Sequence, residues 1–400
     1  MPATHTPRPR WVLPAIVTGQ LLVTSIWFAA NAVIGVLQHA WGIAGGEGTV
    51  TTAVQLGFIC GTLVYAVLGL SDRYHPGNVF LVSAVIGGGA NAALLALPGE
   101  FSFVLAARFV AGFCLAGVYP VGMKIAASWY AGGLGRALGF LVGALVLGTA
   151  SSHLLRGLGG AADWRLVIAA TSLAALAGGL LVRMVPEGPY LARGGPVRFR
   201  GVLASFRHAD FRASALGYFG HMWELYAFWA FVPVWAAAHG MRATTVPFMA
   251  AATIGIGALG CVGGGYLVRR FGGGRVALAQ LSVSCACGLA SPLLLHAPTA
   301  VFTIFLLAWG TTVVGDSPQF SALNARYAPP GVVGSALTLV NCIGFALTIP
   351  ALSLLERLQF VLPPAWLLMA LAPGPMIGLW CARRLLAREP HADTVPVAST

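Results

Sequence analysis

Twelve apolar stretches, each near the ~20 residues an α-helix needs to cross a bilayer, recur along this 400-residue chain. They run over 11–37, 48–70, 78–97, 101–123, 134–156, 163–185, 213–238, 245–268, 275–296, 300–323, 332–356 and 364–388. Hydrocarbon offers no water to an open backbone, so stretches of this kind span it as helices or as a closed β-barrel. A barrel needs period-two alternation, which these continuous runs lack. A soluble fold is excluded by composition: 58% of the residues are hydrophobic and 8% charged, against about 25% charged in soluble domains. Gly and Pro inside several stretches are compatible with a helix bundle, where neighbours satisfy the freed backbone groups. After Arg8 and Arg10 the first stretch is too long for a signal-peptide core, and it reads as a retained span.

The net charge of +12 is a topology signal, not a nucleic-acid footprint. In the twelve-span reading Arg73, Lys124, Arg136, Arg183, the arginines of 186–212, Arg269, Arg270, Arg275, Arg326 and the arginines of both termini share one side. Arg156, Arg165, Arg242 and Arg357 fall on the other. The positive-inside rule then predicts both termini in the cytoplasm and a multi-pass protein of the cytoplasmic (inner) membrane. The seven cysteines, at 60, 114, 261, 285, 287, 342 and 381, lie in or at the ends of spans. They read as small buried residues with no metal site.

The segment 186–212, rich in Arg, Gly and Pro, divides two six-span halves, 1–185 and 213–388, and residues 389–400 form a tail. The dividing segment is read as a cytoplasmic linker. The halves are alike at an offset near 198: SDRYHPGNVFLV (71–82) matches VRRFGGGRVALA (268–279), and Pro120 matches Pro318. Internal repeats are the construction principle of many secondary transporters. LGLSDRYHPGN keeps an acidic–basic pair, Asp72–Arg73, between spans two and three, and GYLVRRFGGGR keeps Gly265, Leu267, Arg270 and Gly272 between spans eight and nine. ARFVAGFCLAG (107–117) and DWR (163–165) add two further matches.

With these motifs the chain resembles the major facilitator superfamily over nearly its whole length. The resemblance implies an all-α membrane protein, with twelve transmembrane helices in two pseudo-symmetric six-helix bundles. It also implies that spans one, four, seven and ten line a central cavity, and that the protein acts as a monomer. Leu68 stands where the first loop usually has Gly, and Arg269 where the second usually has Asp.

Three ionisable residues lie well inside spans: Arg108, Glu224 and Asp316. Each costs on the order of 2.5–3.5 kcal/mol at the centre of a membrane helix, so each should face the bundle interior or a wet cavity. They fall on spans four, seven and ten, the helices that the resemblance makes cavity-lining. Glu224 lies roughly 16 Å into span seven at 1.5 Å per residue, and His221, three residues earlier, shares its face. Trp223, Tyr226 and Trp229 are the neighbouring aromatics. Glu224 reads as a coupling proton site, with His221; a permanently paired structural carboxylate and a contact to a cationic substrate are its alternatives. Asp316, two residues before Pro318, reads as a gate or second protonation site, or as a local structural hydrogen bond.

Arg108 offers a planar fork of donors suited to an anion; its other readings are a counter-ion to a carboxyl and a structural anchor. Gln20, Trp27, Asn31, Tyr119, Tyr226, Trp229 and Asn341 complete the candidate substrate site. Asp72, Arg73 and Arg270 are the candidate gating charges. Gly57-x-x-x-Gly61, Gly139-x-x-x-Gly143 and Gly260-x-x-x-Gly264 permit close helix approach, which the resemblance would put between the halves.

The sequence therefore predicts a non-enzymatic secondary transporter working by alternating access, without cofactor. Its expected partners are protons, a small solute and the lipid bilayer, and no nucleic acid. No nucleotide-binding GxxxxGK[ST] loop is present in the sequence. Span five, GFLVGALVLGTASSHLL, lacks the Gly-Pro of the superfamily's drug antiporters. That favours proton-coupled uptake of a small organic or inorganic anion or zwitterion. Proton-driven efflux of lipophilic compounds is the alternative, and a non-transporting sensor is a third reading.

Overall fold

The computed structural model describes residues 9–41, 46–96, 100–129, 134–159, 164–191, 203–329 and 332–387. Arg8, Asp163, the linker core 192–202 and the tail 389–400 lie outside the described residues. All twelve predicted spans have a helical counterpart, and the chain divides into two compact units, Met1–Pro196 and Val197–Thr400.

In the first unit, span one is broken into α1 (Val12–Thr24), α2 (Ala29–Ala32) and α3 (Ile34–Trp41). Span two is α4 (Glu47–Leu68), followed by the short α5 (Leu70–Arg73), and span three is α6 (Pro76–Ala93). Span four is α7 (Phe101–Leu115) and α8 (Tyr119–Ala127), span five α9 (Leu134–Leu158) and span six α10 (Trp164–Arg183). In the second unit, span seven is α11 (Ala209–Ala238), and span eight is α12 (Val246–Gly255) and α13 (Gly257–Phe271). Span nine is α14 (Gly273–Leu294), and span ten is α15 (Thr299–Thr312) and α16 (Ser317–Tyr327). Span eleven is α17 (Val333–Leu358), and span twelve runs from α18 (Pro364–Leu367) through a 3₁₀ turn into α19 (Pro373–Ala382).

Among the described residues, nine of these spans are long and apolar enough to cross a membrane. The other three are the broken span one, α6 with Asn78 and Asn91 in its sequence, and α11, which carries Asp210, Arg212, His221 and Glu224.

The breaks have local causes. Pro120 and Pro318 each sit in the first turn of the second half of their span. A proline has no N–H to give and its ring clashes with the preceding turn, so the helix restarts there. Ahead of Pro120 the chain tightens, with Gly117 and Val118 donating to the carbonyls of Cys114 and Leu115 three residues back. Span seven is continuous instead, and twenty of its thirty residues are buried. A helix apolar on all sides is one enclosed by others, and span seven packs against spans ten, eleven and twelve. It begins at Ala209, four residues ahead of the apolar run, with Asp210 in its first turn, where the helix dipole favours an acid. Arg384 Nε lies 2.8 Å from Asp210 Oδ1 and ties the ends of spans twelve and seven together.

The glycine stripes of spans two and eight pack within their own units. A Cβ on Gly57 of span two would run into the Phe109 carbonyl of span four, and one on Gly112 of span four into the Val54 carbonyl of span two. The second unit repeats the arrangement: Gly260 of span eight meets the Thr311 carbonyl of span ten, and Gly310 meets that of Thr253. The repeat seen in the loops therefore extends to the backbone contacts. Two cysteines differ from the expectation of burial: Cys60 of α4 is exposed and Cys381 of α19 is partly buried.

Gly57→Ala and Gly260→Ala are each expected to cost on the order of 1–3 kcal/mol, since backbone and not a flexible side chain must move. A thermal melt in detergent should show both losses, and Gly89→Ala, with open space around it, should melt like the wild type.

Candidate functional site

Each unit holds one buried polar centre. In the first, the break in span one leaves three successive carbonyls to be satisfied. Ser152 of span five donates to the Ser25 carbonyl at 2.6 Å. Arg108 of span four reaches the next two, Nη1 donating to Ile26 at 2.8 Å and Nη2 to Trp27. Arg108 is fully buried, and its Nη1 also lies 3.4 Å from Asn91 Oδ1 of span three. Asn91 is held in turn by donating to Thr171 and Ser172 of span six, at 3.0 and 2.9 Å. The guanidinium thus caps the broken helix, and only its Nε is without a hydrogen bond.

The other candidates of this unit lie along the same helices. Gln20 donates to the Leu141 carbonyl at 3.3 Å. Asn31 donates to Thr51 Oγ1 of span two at 2.7 Å, and the Trp27 ring lies 5.1 Å from that of Phe58. Thr51, Gln55 and Phe58 share one face of span two, so Gln55 faces the same break; it is fully buried with neither amide atom hydrogen-bonded. Tyr119 is buried at the start of α8.

In the second unit, the Glu224 carboxylate turns towards spans nine and ten. Its Oε1 accepts from Ser284 Oγ at 2.8 Å and from Trp309 Nε1 at 2.6 Å, and the two donors are themselves 3.1 Å apart. One turn along span seven, Phe228 lies against Trp309 with ring centroids 4.5 Å apart. His221 Nδ1 is 2.8 Å from Asp316 Oδ1, both side chains being about 1% exposed. Asp316 stands at the N-terminus of α16, where the helix dipole favours an acid. The structure therefore brings His221, Glu224 and Asp316 into one buried region.

Tyr226 lies on another face of span seven, its ring 5.2 Å from Phe345 of span eleven and 5.3 Å from Trp229. Asn341 accepts from Tyr218 Oη at 3.0 Å, and the Tyr218 ring is 5.7 Å from His221. Sequence reasoning missed Ser284 and Trp309. A signal was available for the second: a mid-span indole N–H must find an acceptor, and the carboxylate of Glu224 was on offer.

Of the gating candidates, Asp72 pairs with Lys124 at the end of span four, whose Nζ also donates to the Ser71 carbonyl at 2.7 Å. Arg73 and Arg270 are exposed, Arg270 lying over the Phe271 ring at 5.2 Å. Lys124 entered the sequence reading only as a topology charge.

Two six-span units, with matching proline breaks in spans four and ten and buried ionisable groups in each, make up a multi-pass helical membrane protein. The sequence model of the Major Facilitator Superfamily matches residues 16–352, and the chain belongs to that family. Its fold is similar to the crystal structure of the human organic anion transporter MFSD10 (TETRAN). The TM-score is 0.70 at 15% identity, covering 94% of this chain and all of that one. No curated protein matches the sequence. The fold is the major facilitator fold, and the protein is a secondary transporter.

Arg108→Lys keeps the charge but not the fork, and it should lower stability by on the order of 2 kcal/mol through the lost carbonyl hydrogen bonds. A melt in detergent without solute measures this. An unchanged melt, with solute affinity lost, would instead make Arg108 a ligand contact.

Proposed function

We propose that the protein is a proton-coupled symporter of the cytoplasmic membrane, taking up a small organic or inorganic anion or zwitterion, with Glu224 as its coupling site. The observation that carries the reading is the set of donors on Glu224. They are the neutral groups of Ser284 and Trp309, so among the described residues no fixed cation holds the carboxylate permanently charged. A buried carboxyl with neutral partners can take and release a proton as its surroundings change. The alternative of a permanent salt bridge would need an Arg or Lys there. His221 and Asp316, 2.8 Å apart, form the second proton-carrying element of the same unit.

Support for an anionic or zwitterionic solute comes from the first unit. Arg108 carries a buried positive charge there, and Gln55 an unsatisfied amide. Gln20, Trp27, Asn31 and Tyr119 of the first unit, and Tyr226, Trp229 and Asn341 of the second, are the proposed solute-contacting residues. The similar human structure is that of an organic anion transporter, which is in keeping with this class. Asp72 (held by Lys124), Arg73 in the same loop and Arg270 in the second unit are the proposed cytoplasmic gating charges. The protein would act as a monomer with both termini in the cytoplasm, without cofactor and without nucleic acid. The aromatic cluster of Tyr226, Trp229 and Phe345 favours a second reading, efflux of lipophilic compounds by antiport.

Reconstituted vesicles with an internal pH dye and a panel of organic acids, amino acids and lipophilic cations separate these readings. Symport predicts solute and protons moving in the same direction, and antiport in opposite ones. Glu224→Gln should abolish accumulation driven by a pH gradient while leaving solute exchange in place. Full proton-driven accumulation in Glu224→Gln would remove Glu224 from coupling.

A further inference from the structure

Two donors converge on a single oxygen of Glu224. Trp309 Nε1 and Ser284 Oγ both reach Oε1, at 2.6 and 2.8 Å. The indole has little freedom to turn away, since Phe228 and Phe305 lie against it at ring-centroid distances of 4.5 and 5.6 Å. Trp235 closes a third side at 6.5 Å. An indole N–H only donates, whereas a serine hydroxyl can turn and accept. A proton placed on Oε1 would point at the Trp309 N–H and break that bond. A proton placed on the other oxygen, Oε2, leaves both bonds intact.

We infer that Trp309 and Ser284 are positioning residues for the Glu224 proton: they hold Oε1 as a standing acceptor, so that the proton loads on Oε2 and leaves in the pH range these two donors set. The inference rests on the reading of Glu224 as the coupling site and names the groups that tune it. In each cycle an O–H bond forms at Oε2 with a proton from water on one side, and breaks again to water on the other. Neither Trp309 nor Ser284 changes its own protonation. Both bonds are stronger to a carboxylate than to a neutral acid, so they work in favour of release.

The other ionisable groups of the neighbourhood are few. His221 is on the same helix and Asp316 on span ten, paired with each other. Cys285 and Cys287 follow Ser284 on span nine, Cys261 is on span eight and Cys342 on span eleven. Span twelve, which also packs on span seven, has no charged side chain between Pro364 and Ala382. The donors on Glu224 are therefore the groups most directly placed to set its behaviour.

The test needs no knowledge of the solute. Infrared difference spectra of the full-length protein in lipid nanodiscs would be titrated between about pH 4 and pH 10, the range in which a buried carboxyl titrates. The wild type should show a carboxyl stretching band that is missing from Glu224→Gln. In Trp309→Phe and in Ser284→Ala its midpoint should move up by about one pH unit, the effect of losing one charge-assisted hydrogen bond. Ser284→Thr, which keeps the hydroxyl, should titrate like the wild type. Unchanged midpoints in both deletion variants would overturn the inference and leave the Glu224 reading standing. Absence of any titrating band that Glu224→Gln removes would overturn the coupling reading itself. Should Trp309→Phe fail to fold, the serine pair carries the test alone.

Discussion

A carbonyl left without a donor inside a membrane costs several kcal/mol, and the structure is arranged around that cost. A transporter needs helices that break at mid-membrane, and each break exposes such groups. At the span-one break the donors come from outside the helix: Ser152 takes Ser25, and Arg108 takes Ile26 and Trp27. The proline breaks of spans four and ten are tightened from within, by donors three residues along the chain. Arg108 suits the first task because one planar guanidinium reaches two neighbouring carbonyls and stays charged in any surroundings. Its charge is thereby spread over backbone dipoles, and the Asn91 amide, held by span six, limits how far it can swing.

The two units share their backbone contacts but not their chemistry. Gly57 and Gly112 fit together as Gly260 and Gly310 do, each glycine meeting a carbonyl on the facing span. That contact needs only a missing side chain, and both halves keep it. The buried ionisable groups differ. The first unit holds a guanidinium, which stays charged at neutral pH, and the buried imidazole of His153 on span five. The second holds two carboxyls and an imidazole, all of which can change charge. A permanent charge is suited to fixing a backbone or drawing in a counter-charge. Groups that change charge are suited to following a proton gradient.

The spans were legible because the bilayer imposes a length and an apolar composition on each, and every predicted span has its helix. Arg108, Glu224 and Asp316 were legible for the complementary reason, that a charge at that depth is costly and rarely idle. The partners were not. Ser284 and Trp309 are ordinary members of apolar helices, and only the rotation of spans nine and ten about their axes turns both onto Glu224. Trp223, Tyr226 and Trp229 looked like its walls because they are close in sequence. Residues two and five along a helix point well away from the first, however, so Tyr226 meets Phe345 while Phe228, four along, covers Trp309. The loop acid likewise has a partner that sequence proximity does not reveal: Asp72 pairs with Lys124, from the end of another span.

Glu224 and the His221–Asp316 pair resolve the same problem, a charge in a dry interior, in different ways. His221 and Asp316 lie 2.8 Å apart, so a charge on either has an opposite partner at hand. Glu224 has no such partner among the described residues, and its two donors are neutral. Its net charge must therefore follow its proton, and a change in how closely spans nine and ten approach span seven would alter the balance between its two forms. In the proposed coupling role, a carboxyl held by neutral donors from two other helices would report helix position as a protonation state, the link between shape and proton that a proton-driven alternating-access carrier requires.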